Sequence, residues 1–99
     1  MKDYTNMHIK ANLKDGLQTY EGNLFFYDDG FEYKAKSLNA LTSFGKVLYT
    51  EIKRIKQGKT FGIISNRIII STSDDREYRF VVINAKSVIE FIKNKAGIV

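Results

Sequence analysis

Arg67-Ile68-Ile69-Ile70-Ser71-Thr72, Ser73-Asp74-Asp75-Arg76, Glu77-Tyr78-Arg79-Phe80-Val81-Val82-Ile83 and then Asn84 to Gly97 form one continuous stretch in which the hydrophobic period changes, and that change decides the fold. The first and third blocks are β-branched and aromatic runs on either side of a polar turn, the pattern of a β-hairpin. After Ile83 the period lengthens: Ala85, Val88, Phe91 and Ile92 fall on one stripe at helical spacing, with Lys86, Glu90, Lys93 and Asn94 on the other side. Asn84 is placed to cap this helix, and Gly97 suits the position after its end. Packing of the stripe onto the domain's own sheet is a simpler account than a groove-binding or membrane-surface helix.

The loop length sets the register of this hairpin. A two-residue turn at Asp74-Asp75 puts Ile68 and Ile70 on the face of Glu77 and Arg79, whereas a three-residue loop at 74 to 76 pairs Ile70 with Phe80 and Thr72 with Tyr78. The three-residue loop is the expectation. It leaves Ile69, Val81 and Ile83 on the outer face, where three apolar residues call for cover by another element of the domain or by a partner.

Upstream, Leu24-Phe25-Phe26-Tyr27, Asp28-Asp29-Gly30 and Phe31 to Lys36 read as a second hairpin, because Asp-Gly supplies the positive φ angles of a type I′ turn. With Asp29 and Gly30 as the loop, Phe26 faces Tyr33 and Leu24 faces Ala35. That places Tyr20, Leu24, Phe26, Phe31 and Tyr33 on one buried side and turns Glu32, Lys34 and Lys36 to water. His8 to Leu13 alternate before Lys14-Asp15-Gly16 and read as a first strand and tight turn. Residues 37 to 46 read as loop. Leu48, Ile52 and Ile55 have helical spacing but strand propensity, so the residues alone leave 48 to 56 open between helix and strand.

A chain of 99 residues with 43% apolar and 13% aromatic residues is one globular domain with its own core, spanning 1–99. It has no cysteine, hence no thiolate metal site, no Cys nucleophile and no disulfide framework, which fits a reducing compartment and a cytoplasmic location. Met1 to Asn6 lead into no apolar signal region, and no stretch approaches the roughly 18 apolar residues of a membrane span. Starting at Met1 and ending at Ile98-Val99 without a linker-like tail, the sequence reads as a complete small gene product.

No constellation for catalysis stands out. His8 is the sole histidine and has no nearby triad or metal-ligand partners. The acidic pairs Asp28-Asp29 and Asp74-Asp75 sit in turns, where Asp is favoured for its local backbone hydrogen bonds. Gly58-x-x-x-Gly62 lacks the ending of a phosphate-binding loop. No catalytic residue, metal site, cofactor or small-molecule substrate is expected. The formal charge of +5 is concentrated: residues 46 to 67 hold Lys46, Lys53, Arg54, Lys56, Lys59 and Arg67 against Glu51, and the remainder balances. Lys53, Arg54, Lys56, Lys59 and Arg67 are therefore the candidate anion-binding residues, against the commoner alternative of a solvated face.

In their order, these elements resemble the pleckstrin-homology-like superfamily, in particular its GRAM and bacterial PH branches. The likeness runs over roughly residues 17 to 96. It lies in Leu24-Phe25-Phe26 and the aromatic strand after its turn, the acidic-Ile-x-x-Ile segment Glu51 to Ile55, the paired strands Gly62-Ile63-Ile64 and Ile68-Ile69-Ile70, the strand Glu77 to Phe80, and the closing helix centred on Phe91. The resemblance implies a strongly bent antiparallel barrel of about seven strands with one end closed by the helix, and strand rather than helix for Tyr49 to Lys56. An OB-like or Sm-like small barrel is the main rival. Members of the superfamily bind phosphoinositides, peptides or proteins, or oligomerise. The phosphoinositide pattern Lys-x(n)-Lys-x-Arg is not matched: the first turn offers Lys14 beside Asp15, with Lys10 upstream and no arginine.

Two functions are expected from these features. The first is a non-catalytic interaction module that meets another protein, or a second copy of itself as a homodimer, through Ile69, Val81 and Ile83 or through a strand edge. The alternative is a polyanion-binding domain that contacts nucleic acid or an anionic lipid surface through the basic segment 53–67.

Overall fold

The order of the strands forces the sheet to bend. The computed structural model describes residues 1–36, 45–60 and 64–98, with backbone alone at 60, 64 and 65. It has seven strands, β1 (His8–Asp15), β2 (Gln18–Phe26), β3 (Gly30–Ala35), β4 (Val47–Leu48), β5 (Ile52–Thr60), β6 (Ile64–Thr72) and β7 (Glu77–Val81), then helix α1 (Ala85–Ala96). All pair antiparallel in one sheet of order β4-β3-β2-β1-β7-β6-β5. The edges β4 and β5 are joined by the single 3-10 turn Tyr49–Glu51. Six interstrand steps laid flat would separate those edges by about 29 Å, and the link between Leu48 and Ile52 reaches about 14 Å at most. The sheet therefore curls, unclosed, until its edges come close, and α1 caps the opening.

The cap is held by aromatic packing. Phe91 of α1 lies with its ring centroid 5.5 Å from Tyr4, 5.4 Å from Phe26 and 6.2 Å from Tyr49. Ala85, Val88, Phe91 and Ile92 are buried as the stripe requires, and Ile89 joins them. Gly97 takes the left-handed conformation at φ 70° and closes the helix, while the Asn84 side chain makes no capping bond. Its backbone carbonyl accepts from the Val88 N–H at 3.1 Å instead. Tyr4 is buried although it precedes every strand; its hydroxyl donates to Ser87 Oγ at 3.0 Å.

Both hairpin registers differ from expectation by two residues. In the β2–β3 hairpin Phe26 faces Phe31 and Leu24 faces Tyr33. The Tyr27 N–H donates to the Gly30 carbonyl at 2.8 Å, making Asp28-Asp29 the turn. No residue from 28 to 30 has positive φ, so the turn is not type I′. Gly30 is needed for space: a Cβ there would overlap the Val47 carbonyl of the neighbouring β4. In the β6–β7 hairpin Ile68 faces Phe80 and Ile70 faces Tyr78. The loop has three residues, as expected, but they are Ser73-Asp74-Asp75, closed by the Thr72 N–H to the Arg76 carbonyl at 2.9 Å. Asp75 takes the left-handed position at φ 64°, and the Thr72 hydroxyl bonds the Asp74 carboxylate.

A shift of two residues preserves every side-chain face, because the strand period is two. Leu24, Phe26, Phe31, Tyr33, Ile68, Ile70 and Phe80 are all buried, with Tyr20 half-buried. The ambiguous segment 48 to 56 resolves as the end of β4, the 3-10 turn and the start of β5. The Glu51 carboxylate accepts from the Leu48 N–H at 2.9 Å at the start of the turn, and Ile52 returns to extended backbone at φ −79°, ψ 119°, which ends it. The expected loop at 37 to 46 and the Gly62-Ile63 part of the paired strands fall largely outside the described residues.

Candidate interaction surface

Cross-strand register carries side chains in rows over the outer face. One row is Lys56, Ile69, Arg79, Lys14 and Thr19; the next is Gly58, Arg67, Val81, Asn12 and Glu21. A third runs Arg54, Ser71 and Glu77. Residues directly opposite one another share a face, so Arg54, Lys56 and Arg67 of the sequence-derived set come together and are joined by Lys14 and Arg79. Ile69 and Val81 lie among these cations, half-buried. Room for Ile69 comes from Gly58, where a Cβ would sit 3.2 Å from the Ile69 Cδ1.

Like charges facing each other across a ladder are unfavourable, yet Lys14 and Arg79 do so. Their side chains turn to the flanks: Lys14 Nζ donates to Thr19 Oγ1 at 2.8 Å, and Arg79 Nη2 pairs with Glu77 Oε1 at 3.1 Å. Such exposed pairs contribute little to stability and are screened by salt.

The remaining predicted residues lie apart. A register shift between Ile52 and Arg54 turns Lys53 toward the β6–β7 loop, where its ammonium is 3.5 Å from Asp75. Lys59 is exposed at the second register shift of β5, beside residues outside the described set. Ile83 lies beyond the end of β7, in the turn before α1, and is 89% exposed. α1 packs against Tyr4, Phe26 and Tyr49 from the inner side. On the outer face the cross-strand neighbours of Ile69 are Lys56 and Arg79, and those of Val81 are Arg67 and Asn12.

The acidic turns behave as turns. Asp29 pairs with Lys46 at 2.8 Å, which holds the Asp29 carboxyl below its ordinary range and raises the Lys46 ammonium. The hydroxyl of Thr72, then Arg76, lowers Asp74. His8 is stacked on Phe25 with centroids 5.1 Å apart. Burial pushes the Tyr49 phenol well above its usual value, and its hydroxyl donates to the Tyr27 carbonyl at 3.0 Å. Among the described residues no group of three or more His, Asp or Glu side chains is placed to hold a metal ion, and no helix is long and apolar enough to cross a membrane.

Sequence reasoning missed Lys14 and Arg79 because their proximity depends on the pairing of β1 with β7, which no local signal announces. The alternation that sets each of them beside a neighbour turned to the inner face, half-buried Leu13 and buried Phe80, was the available clue.

No protein-family model matches the chain, and no curated protein matches it. Among solved structures the chain is similar to the C-terminal domain of an unknown protein from Leishmania infantum, with a TM-score of 0.76 and 17% identity over 90% of this chain and 80% of that one. At that identity the likeness shows a shared fold: a bent, seven-stranded antiparallel sheet capped by one C-terminal helix.

Proposed function

We propose that the protein is a non-catalytic, pleckstrin-homology-like binding module that engages an acidic protein partner through the outer face of β5, β6, β7 and β1. The observation that carries this reading is the ring of Lys14, Lys56, Arg67 and Arg79 around Ile69 and Val81. An apolar centre with a charged rim is the composition of a protein interface, and the rim charges steer an acidic partner toward it. The family reading is supported by the bent seven-stranded sheet and the terminal helix; the function rests on the surface and not on the fold.

A second copy fits this face poorly. A two-fold dimer opposes the same patch to itself, which would bring the cations of one protomer against those of the other. Phosphate-rich partners are the second reading, favoured by the same four cations together with Arg54, but a row of phosphates gives Ile69 and Val81 nothing to pack against.

Affinity capture with the wild-type chain and with the double variant Lys56→Glu, Arg79→Glu tests the proposal, alongside size exclusion with light scattering against anionic vesicles and a short mixed-sequence nucleic acid. Acidic proteins held by the wild type and released by the variant support it. Salt-sensitive co-elution with vesicles or nucleic acid would replace it with the polyanion reading.

A further inference from the structure

β1 pairs along its whole length with β2 but is longer than its other neighbour, β7. β7 meets β1 only at Asn12–Val81, Leu13–Phe80 and Lys14–Arg79. Beyond Val81 the chain departs, with the Val82 N–H donating to the Asn66 carbonyl at 2.9 Å and Ile83 standing in solvent. β1 runs on to His8, so among the described residues its His8–Ala11 half pairs with β2 alone.

The phase of hydrogen bonding shows which backbone groups this leaves. Asp15 and Gln18 close the Gly16-Leu17 turn as a mutually bonded pair, and in an antiparallel ladder bonded and non-bonded pairs alternate. Leu13, Ala11 and Ile9 therefore bond to β2, and the Phe26 N–H to the Met7 carbonyl at 2.9 Å continues the same phase. The N–H and C=O of His8 and Lys10 point the other way, into a notch that β7 leaves open.

Two hollows line that notch. One of about 250 Å³ is bounded by Lys2, Tyr4, Ile9, Val82 and Val88, and one of about 150 Å³ continues past Ala11 and Asn66; Lys10 and Ile83 border both. The charged side chains along them are Lys2 and Lys10, with no acidic residue. An 89%-exposed isoleucine beside an apolar hollow and an open strand edge is the signature of a docking position.

We propose that the notch takes an extended acidic-apolar segment of another protein as an added strand beside β1. Its backbone would bond to Lys10 and His8 where β7 stops. Alternate side chains of such a strand face opposite sides: those on the Ile9 side enter the hollow against Val82 and Val88, and those on the Lys10 side stand beside its ammonium. The sequence pattern selected is apolar residues alternating with Glu or Asp, in the manner of strand addition at a sheet edge. The cations of the notch, Lys2 and Lys10, are not those of the outer basic cluster, although Val81 borders both surfaces, and neither reading depends on the other.

Amide chemical shifts and hydrogen exchange of the full chain, recorded with short synthetic peptides alternating Val, Leu or Ile with Glu, test the proposal. Shifts at His8, Lys10 and Ile83 with slowed exchange at Lys10 are expected. Lys10→Glu and Ile83→Lys should each weaken binding about tenfold, and Ile83→Lys leaves folding intact because that side chain is already in solvent. Peptides N-methylated at alternate positions should not bind, while Lys56→Glu with Arg79→Glu should leave affinity unchanged. The proposal is overturned if no peptide of the set moves these amides, if N-methylated peptides bind equally, or if the amides respond to protein concentration alone, which would assign the notch to a second copy.

Discussion

Lys14 and Arg79 occupy directly opposed positions on β1 and β7, cation facing cation on the outer face of the sheet. The arrangement costs stability, and a face assembled at such a cost is the natural place to look for a binding role.

Lys14→Glu converts the opposed pair into one of opposite charge. The expected gain is about 0.2–1 kcal/mol in denaturant unfolding at low salt, shrinking as salt is added. The same variant should bind the acidic partner more weakly. A variant that is no more stable than the wild type would mean that the flanking bonds to Thr19 and Glu77 already relieve the repulsion.

Tyr4 joins the N-terminal segment to the capping helix through Phe26, Phe91 and Ser87. Truncation by Tyr4→Ala should cost about 3–5 kcal/mol, whereas Tyr4→Phe, which loses only the hydroxyl bond, should cost about 1 kcal/mol. Equilibrium unfolding of the two variants separates packing from hydrogen bonding; equal losses would contradict the assignment.

Gly30 has ordinary negative-region backbone and is required by the approach of β4. Gly30→Ala should destabilise by about 1–3 kcal/mol through overpacking and detach Val47–Leu48 from β3, visible as faster amide exchange at Tyr49, whose N–H bonds the Asp29 carbonyl at 2.9 Å. Normal protection at Tyr49 in that variant would return Gly30 to a turn role.

Asp29 and Asp74 have carboxyls held below their ordinary value of 3.8 by Lys46 and by Thr72 with Arg76. A group whose folded pKa is depressed adds stability that is complete above its unfolded value and disappears as pH falls through the folded one. Stability should therefore begin to decline below about pH 4, modestly because both carboxyls are exposed, and Asp74→Asn should flatten that limb of the stability profile without affecting the neutral-pH region's slope. An unchanged acid limb in the Asn variant would remove Asp74 from the account.

Much of the architecture was legible because it depends on local period. The alternation in Leu24 to Phe26, Phe31 to Tyr33 and Ile68 to Ile70 identifies the buried face whatever the register, since a two-residue slip leaves it unchanged. The spacing of Val88, Phe91 and Ile92 identifies the helix in the same way. The turns themselves were misplaced: Asp-Gly is a good signal for positive φ, but Gly30 answers to β4, a strand distant in sequence, and the Asp74-Asp75 loop moved by one residue once Asp75 took the left-handed position.

For the surface the division is sharper. Sequence alone determined that the chain is β-rich with a terminal amphipathic helix, and that its excess charge lies between Lys46 and Arg67. Only the tertiary structure decided that Lys14 and Arg79 join Lys56 and Arg67 while Lys53 turns to Asp75, that Tyr4 enters the core, and that β1 outruns β7 to leave a notch beside Ile83. Local alternation acts through each residue's own backbone, but the meeting of β1 with β7 depends on closing the whole bent sheet, a long-range event with no signature in either strand.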